Sequence, residues 1–542
     1  MPLPAKPPLW PENGAAVRGA GDRRSLFSAA RHRPLAMVLL LAGAFTSCSH
    51  PTRFDPSDIT FLIEANPVNL DPRFATDGQS QRLDGLIFSG LLARDAQMTL
   101  HGDLAASWDT PDPLTYVFHL KPNIKFSDGR PLTSADVKST FEFILNPANK
   151  SPKRGGFRLV SGIEAPDALT VVFHLKQPYA SFLVNLIASS AGIVPADAPA
   201  DFSRHPVGSG PFAFVSQSQD EDVRLRRNPN YFNRAPAIES IHFRIVPDSV
   251  VRALELRKGS ADLEISSLSP DLIPVLLRQP TLTLTERPGT NFAYLGINLR
   301  NPVLARREVR QALAFSTDRQ ALIRYLLRGQ ARVASGILPP NHWAYEPQVA
   351  QYSLDAARAE KLLDLAGFPR GPDGVRFHLM LKTSTEEQAR LIGAALQEQW
   401  RKVGIDLEIR PLELATLLSD AARGNFELTY ARWVGANNDP DIFEYVFSTK
   451  RFPPDGANRG HYANPRIDAL TDQIRVESDR EKRKALCSEV QKIVAEDLPY
   501  IPMWFTDVVS VHRRELGDLE LSPTGDYDFL ATLEPLERAA SR

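Results

Sequence analysis

Apolar and polar residues alternate through Leu114-Thr115-Tyr116-Val117-Phe118-His119-Leu120, the period-two pattern of a half-buried strand. Asp128-Gly129 then supplies a turn, and the period changes to 3.6. Thr133 with Asp136 three residues on marks a helix start, and Val137, Phe141, Ile144 and Leu145 fall on one face. The run Leu169 to Lys176 nearly repeats Leu114 to Lys121. No longer period accompanies this echo, so the two runs read as strands of one sheet and not as a duplication. Gly208 and Gly210 read as a tight turn before a strand from Phe212 to Val215. No helix start or Lys-Ser/Thr follows them, so they are not a phosphate cradle.

The second half continues the mixture. A helix from about Asp248 stops at Gly259 and precedes the strand-like Ala261 to Ile265. Arg306 to Tyr325 places Val309, Leu313, Leu322 and Tyr325 on a helical face, interrupted near Ser316-Thr317. Ala356 to Ala366 closes at Gly367 before Pro369. A strand from Phe377, a long amphipathic helix from Thr385 to Val403, strands at Ile405 to Arg410 and Phe426 to Tyr430 around another helical stretch, and a last helix from Glu481 to Asp497 complete the pattern. Interleaved strands and helices predict a mixed α/β architecture.

Composition narrows the class. With 542 residues, 43% hydrophobic and 23% charged, the chain can bury a large core and divide into two or three domains. Lys+Arg 63 against Asp+Glu 64 leaves a net charge of -1, which points to neither nucleic acid nor an anionic membrane surface. Cys48 and Cys487 are too few for a disulfide framework or a cysteine-based zinc site. There is no Gly-x-Ser-x-Gly elbow, no His-Glu-x-x-His helix and no P-loop, and the 11 His residues are dispersed, so the chain reads as a non-enzyme that needs no cofactor.

The N-terminal segment is export-like. Arg23, Arg24, Arg31 and Arg33 precede the apolar run Leu35 to Phe45, which is about half the roughly 20 residues needed to span a bilayer. Phe45-Thr46-Ser47-Cys48 resembles a lipoprotein signal box with Phe45 in the usual Leu position, making Cys48 the acylated first residue. The alternative is a plain secretory cleavage that leaves Cys48 as a spare thiol. Arg23-Arg24-Ser25-Leu26-Phe27 also resembles a twin-arginine signal, so the export route stays open, as does a start downstream of Met1.

Four ordered blocks carry a family resemblance over nearly the whole mature chain. They are Asn69-Leu70-Asp71-Pro72; Leu104 to Trp108 with the Tyr116 to Leu120 strand, Ile124 to Gly129 and Leu132 to Val137; Pro206 to Phe212 with Asn228 to Phe232; and Val309 to Arg319. In this order they resemble the family 5 solute-binding proteins that serve peptide and nickel ABC transporters. The resemblance implies a two-lobed periplasmic-binding-protein fold, α/β, of the large type II peptide-binding class, with an extra subdomain in the first lobe and closure on ligand as the working motion. The expected organisation is a signal peptide at 1–48, a linker at 49–57, lobe I at 58–91, 204–291 and 501–542, the subdomain at 92–203, and lobe II at 292–500. The crossings fall near Asn291 and Pro499-Tyr500. Arg310 and Asp318 read as helix-end or interdomain partners.

For ligand chemistry the richest segment is the loop-like Tyr430 to Asp441. The resemblance implies a Trp-containing loop lining the cleft, here with Trp433, Gly435, Asn437 and Asn438, and an Asp three residues after the Trp holding the peptide ammonium. That position is Ala436. A buried ammonium needs an anion, so Asp439 either replaces the missing carboxylate or stabilises the Asn437 to Pro440 turn. Trp433 is either an aromatic wall against ligand or core packing. Asn458 and Arg459 sit in a second Gly-rich segment, where Arg459 either meets a ligand carboxylate or is solvated. Thr383, Ser384, Asn66 and Asn69 are further hydrogen-bonding candidates, beside strand-like backbone pairing. The expected function is capture of short peptides by an exported, lipid-anchored monomer for an ABC permease. The alternatives are a nickel chelate or other non-peptide solute, and a sensor or scaffold without a transporter.

Overall fold

The computed structural model describes residues 54–95, 99–435 and 439–536. The export signal, Cys48, Ala436, Asn437 and Asn438 lie outside the described residues. Among the described residues no helix is long and apolar enough to cross a membrane.

An eleven-stranded sheet runs through the described chain. Its order is Ile405–Leu412, Phe377–Ser384, Leu428–Trp433, Leu282–Ile297, Tyr500–Arg513, Leu263–Ile265, Asp58–Ile63, Ser240–Ile245, Asp222–Arg227 and Phe212–Ser218. Ala331–Val333 pairs with Tyr500–Arg513 off this path. Asp58–Ile63 is parallel to both its neighbours, and Phe377–Ser384 to both of its own.

The two central strands, Leu282–Ile297 and Tyr500–Arg513, are 16 and 14 residues long and pair antiparallel. At about 3.3 Å per residue they run roughly 50 Å, far enough to serve two cores. Leu295 and Trp504 enter one core with the strands and helices between residues 293 and 504. Val508 enters another, with Phe61, Phe212, Phe243 and Tyr527. Between them the register slips, from Arg287 opposite Val508 to Asn291 opposite Thr506. Gly289 sits in this slip, where a Cβ would lie 2.1 Å from the Thr506 carbonyl oxygen. Only a residue without a side chain lets the strands approach so closely. Neither crossing strand was anticipated from periodicity.

A separate four-stranded antiparallel sheet has the order Ala105–Asp112, Thr115–Leu120, Thr170–Leu175, Val160–Asp167. The two echoing runs therefore pair side by side, as the sequence suggests. Helix Ser134–Leu145 begins at Thr133, whose backbone N–H donates to the Asp136 carboxylate at 2.8 Å. Its buried Val137, Phe141 and Ile144 meet the sheet. Phe173 gathers Phe118, Phe141 and Phe182 at ring centroid distances of 5.8, 5.0 and 5.3 Å.

The interruption in the Arg306 to Tyr325 pattern is a helix break. Helices Arg307–Phe315 and Arg319–Leu326 meet where Thr317 donates to Leu313 O at 2.7 Å and accepts from Trp400 Nε1 at 3.0 Å. Asp318 then caps the second helix by accepting from Ala321 N at 2.9 Å. Arg310 donates to the Asp497 and Leu498 carbonyls, closing helix Arg480–Asp497 just before the second crossing strand. Both residues serve helix ends. Gly208 and Gly210 have no positive φ. They face helix Gly78–Ile87 so closely that Cβ atoms there would lie 2.0 Å from Ile87 O and 2.5 Å from Leu86 O. Close backbone approach, not turn conformation, explains these two glycines.

Candidate ligand-binding site

Alternation along the first crossing strand turns Phe292, Tyr294 and Gly296 to one face, where they line a cavity of about 600 Å³. Trp433 is the registered partner of Phe292 on the neighbouring strand. Its indole lies nearly parallel to the Tyr294 ring, 8° and 6.3 Å apart, and edge-on to Tyr445 at 6.2 Å. Tyr430 to Trp433 are thus strand residues, not the loop the sequence suggested, because pairing with the crossing strand continues to Trp433. Trp433 remains half-buried.

Arg459 reaches the same cavity. Its guanidinium lies 5.6 Å from the Trp433 ring centroid and hydrogen-bonds the Tyr294 hydroxyl. Among the described residues it forms no ion pair. The segment presenting it is held by Asn458, whose side-chain amide donates to the carbonyls of Phe447, Ser448 and Tyr462 and whose oxygen accepts from Tyr462 N. Asn458 is 2% exposed, so its polar atoms are spent on holding Arg459 in place. Ser384 lines the cavity beside Thr385 and Glu386. Thr383 is fully buried, and its hydroxyl has no hydrogen-bond partner.

A second, polar chamber of about 290 Å³ adjoins the first at Val434, which lines both. Its walls come from separate parts of the fold: Arg82 and Arg94 near the first helix, Tyr179 and Ser181 beside the four-stranded sheet, Gly435, Asp439 and Asp441 after the Trp433 strand, and Asp526 near the C-terminus. Asp439 does not stand free in it. Arg483 donates to its two oxygens at 2.7 and 3.2 Å, and the Ser181 hydroxyl donates at 2.5 Å. Burial alone would raise its pKa, but Arg483 and Ser181 hold its carboxyl below the usual range. Asp441 lies 3.3 Å from the same guanidinium. Burial, then the Asp439 charge, push it up to about 7. Arg94 leaves one guanidinium nitrogen buried without a hydrogen-bond partner, and burial lowers its pKa.

The remaining candidates lie elsewhere. Asn66 pairs with Asp220 through its side-chain nitrogen and accepts from Asp220 N at 3.0 Å. Asn69 accepts from Asp71 N at 2.8 Å and donates its own N–H to Ser80 Oγ. Among the described residues no group of three or more His, Cys, Asp or Glu is placed to hold a metal ion. Sequence reasoning placed a helical stretch here, now helix Leu414–Arg423, but missed that it walls the large cavity, and missed Tyr294, Arg483 and Ser181. The Leu414, Leu417, Leu418, Ala421 spacing was the readable signal for that helix face.

A two-lobed α/β scaffold threaded by two long strands, with adjoining chambers beside them, defines a periplasmic binding protein. Comparison with known proteins carries this further. Residues 99–453 match the model of the bacterial extracellular solute-binding proteins, family 5 middle, and the chain belongs to that family. It is 28% identical to Di/tripeptide-binding protein 1 of Pseudomonas aeruginosa, over 91% of this chain and 97% of that one. It is 27% identical to the glutathione-binding protein GsiB of Shigella dysenteriae, with the same coverage. Among solved structures, the ABC transporter-associated periplasmic binding protein DppA from Helicobacter pylori in complex with peptide STSA superposes with TM-score 0.74 at 26% identity, covering 88% of this chain and 98% of that one. All three of these relatives are binding proteins by name.

Proposed function

We propose that this protein captures short peptides in a cleft between its lobes and hands them to an ABC importer, from a lipid anchor at Cys48. The observation that carries the reading is the polar chamber at Val434, whose walls come from three separately cored parts of the fold. A ligand there would touch all three and favour the closed arrangement over the open one. In this reading lobe II spans about 292–500 and the subdomain about 92–203. The di/tripeptide-binding and glutathione-binding relatives favour a peptide-like ligand.

In this reading Trp433 is an aromatic wall, Arg459 and Ser384 offer polar contacts, and Gly435 leaves the chamber open at its rim. Asp439, saturated by Arg483 and Ser181, holds the chamber's walls together instead of receiving an ammonium. The test is titration calorimetry of the purified protein with a panel of di- and tripeptides. Micromolar or tighter binding of at least one peptide is expected, and Trp433→Ala should weaken it at least about tenfold. Unchanged affinity in that variant would remove Trp433 from the site, and silence across the panel would count against peptide capture.

A further inference from the structure

We infer that the 600 Å³ cavity is a selectivity compartment for a bulky apolar side chain on the C-terminal residue of the captured peptide, walled by helix Leu414–Arg423 with Arg459 as the seat for the adjacent carboxylate. The inference rests on the peptide-capture reading and specifies its ligand.

Leu414, Leu417, Leu418 and Ala421 follow the i, i+3, i+4, i+7 spacing of an apolar helix face, and all four line the cavity. Such a face normally packs on a core. Here Leu417 and Ala421 are buried, but Leu414 is 58% exposed, Leu418 44%, and Val434 across the cavity 60%. The helix is fixed to the sheet by Asp420, which accepts from Lys382 Nζ at 2.8 Å, and by the buried Leu417 and Ala421. Leu414 and Leu418 are left available. Covering them with an apolar group removes that surface from water, the largest favourable contribution a small ligand can make here.

Charge fixes the orientation of the occupant. Glu386 and Arg432 at the mouth pair with each other at 3.1 Å, and Glu413 is exposed at the start of the helix. Arg459, deeper and over Trp433, has no carboxylate partner among the described residues. A guanidinium with donors to spare beside an apolar wall suits a carboxylate attached next to an apolar side chain, the chemistry of a peptide's last residue. At about 600 Å³ the cavity has room for that side chain together with its carboxylate and the adjoining backbone. Val434 lines this cavity and the polar chamber alike, so the rest of the peptide is directed toward the polar chamber.

The experiment compares Ala-Ala-Ala, Ala-Ala-Phe and C-terminally amidated Ala-Ala-Phe by calorimetry. Wild-type protein is expected to bind Ala-Ala-Phe at least about tenfold more tightly than Ala-Ala-Ala, and amidation should cancel most of that gain. Leu418→Ser and, independently, Leu414→Ser should shrink the Phe advantage below about threefold, with an unchanged thermal unfolding midpoint showing that the fold is kept. Equal affinity for the first two peptides, a Phe advantage that survives both variants, or indifference to amidation would overturn the compartment while leaving peptide capture standing. Failure of every peptide to bind would overturn both.

Discussion

Asp439, Asp441 and Arg483 show how a buried charge cluster is kept tolerable. Two carboxylates share one guanidinium, so the pair cannot both ionise at equal cost. Asp439 takes the short contacts and the Ser181 hydroxyl, and stays ionised. Asp441 faces Arg483 at 3.3 Å, but burial first, and then the charges of Asp439 and Glu444, raise it to about 7. The unfolded chain ionises the same group near pH 4. Between about pH 4 and 7 the folded state therefore holds a proton that the unfolded state has released, and stability from this group falls as pH rises. Asp441→Asn, a mimic of the protonated form, should show a smaller fall in urea midpoint than wild type from pH 4.5 to 7. Parallel midpoints would show that Asp441 titrates normally.

Elements show which interactions the sequence displays and which it hides. The helix start at Thr133, the break at Ser316-Thr317 and the stop at Gly259 were legible because each depends on neighbours in the chain. The crossing strands were not. Their pairing with each other joins residues more than 200 positions apart, such as Leu284 and Val511, and Pro288-Gly289 reads locally as a strand breaker. At the site, Trp433 and Arg459 were legible as residue types suited to ligand contact, whereas the pairing of Asp439 with Arg483 and Ser181 depends on three distant segments. Gly208 is a further case, set by a helix over 100 residues earlier. Gly208→Ala should lower stability by about 2 kcal/mol, since its Cβ would strike the Ile87 carbonyl. Gly78→Ala, in the same helix and meeting nothing within 4 Å, should raise it by about 0.5 kcal/mol. Equal thermal unfolding of the two variants would contradict this packing.

The whole molecule gathers its apolar residues into distinct cores, and two continuous strands pass from one to another. Two crossing strands run from the part holding Val508 into the part holding Trp433, and Ser181, beside the four-stranded sheet, hydrogen-bonds Asp439 after the Trp433 strand. The register slip at Gly289 gives the crossing strands a place where regular pairing is already interrupted, suited to a hinge. At this scale the anchor is testable as well: Cys48→Ser should move the exported protein from the membrane fraction to the soluble one, and unchanged fractionation would rule out lipidation at that residue. The most direct measurement of the central claim is a native mass spectrum of the purified protein, followed by release and identification of whatever it carries. A ladder of short peptides, enriched in bulky apolar C-terminal residues, is the predicted result; a single non-peptide acid or a metal chelate would contradict peptide capture.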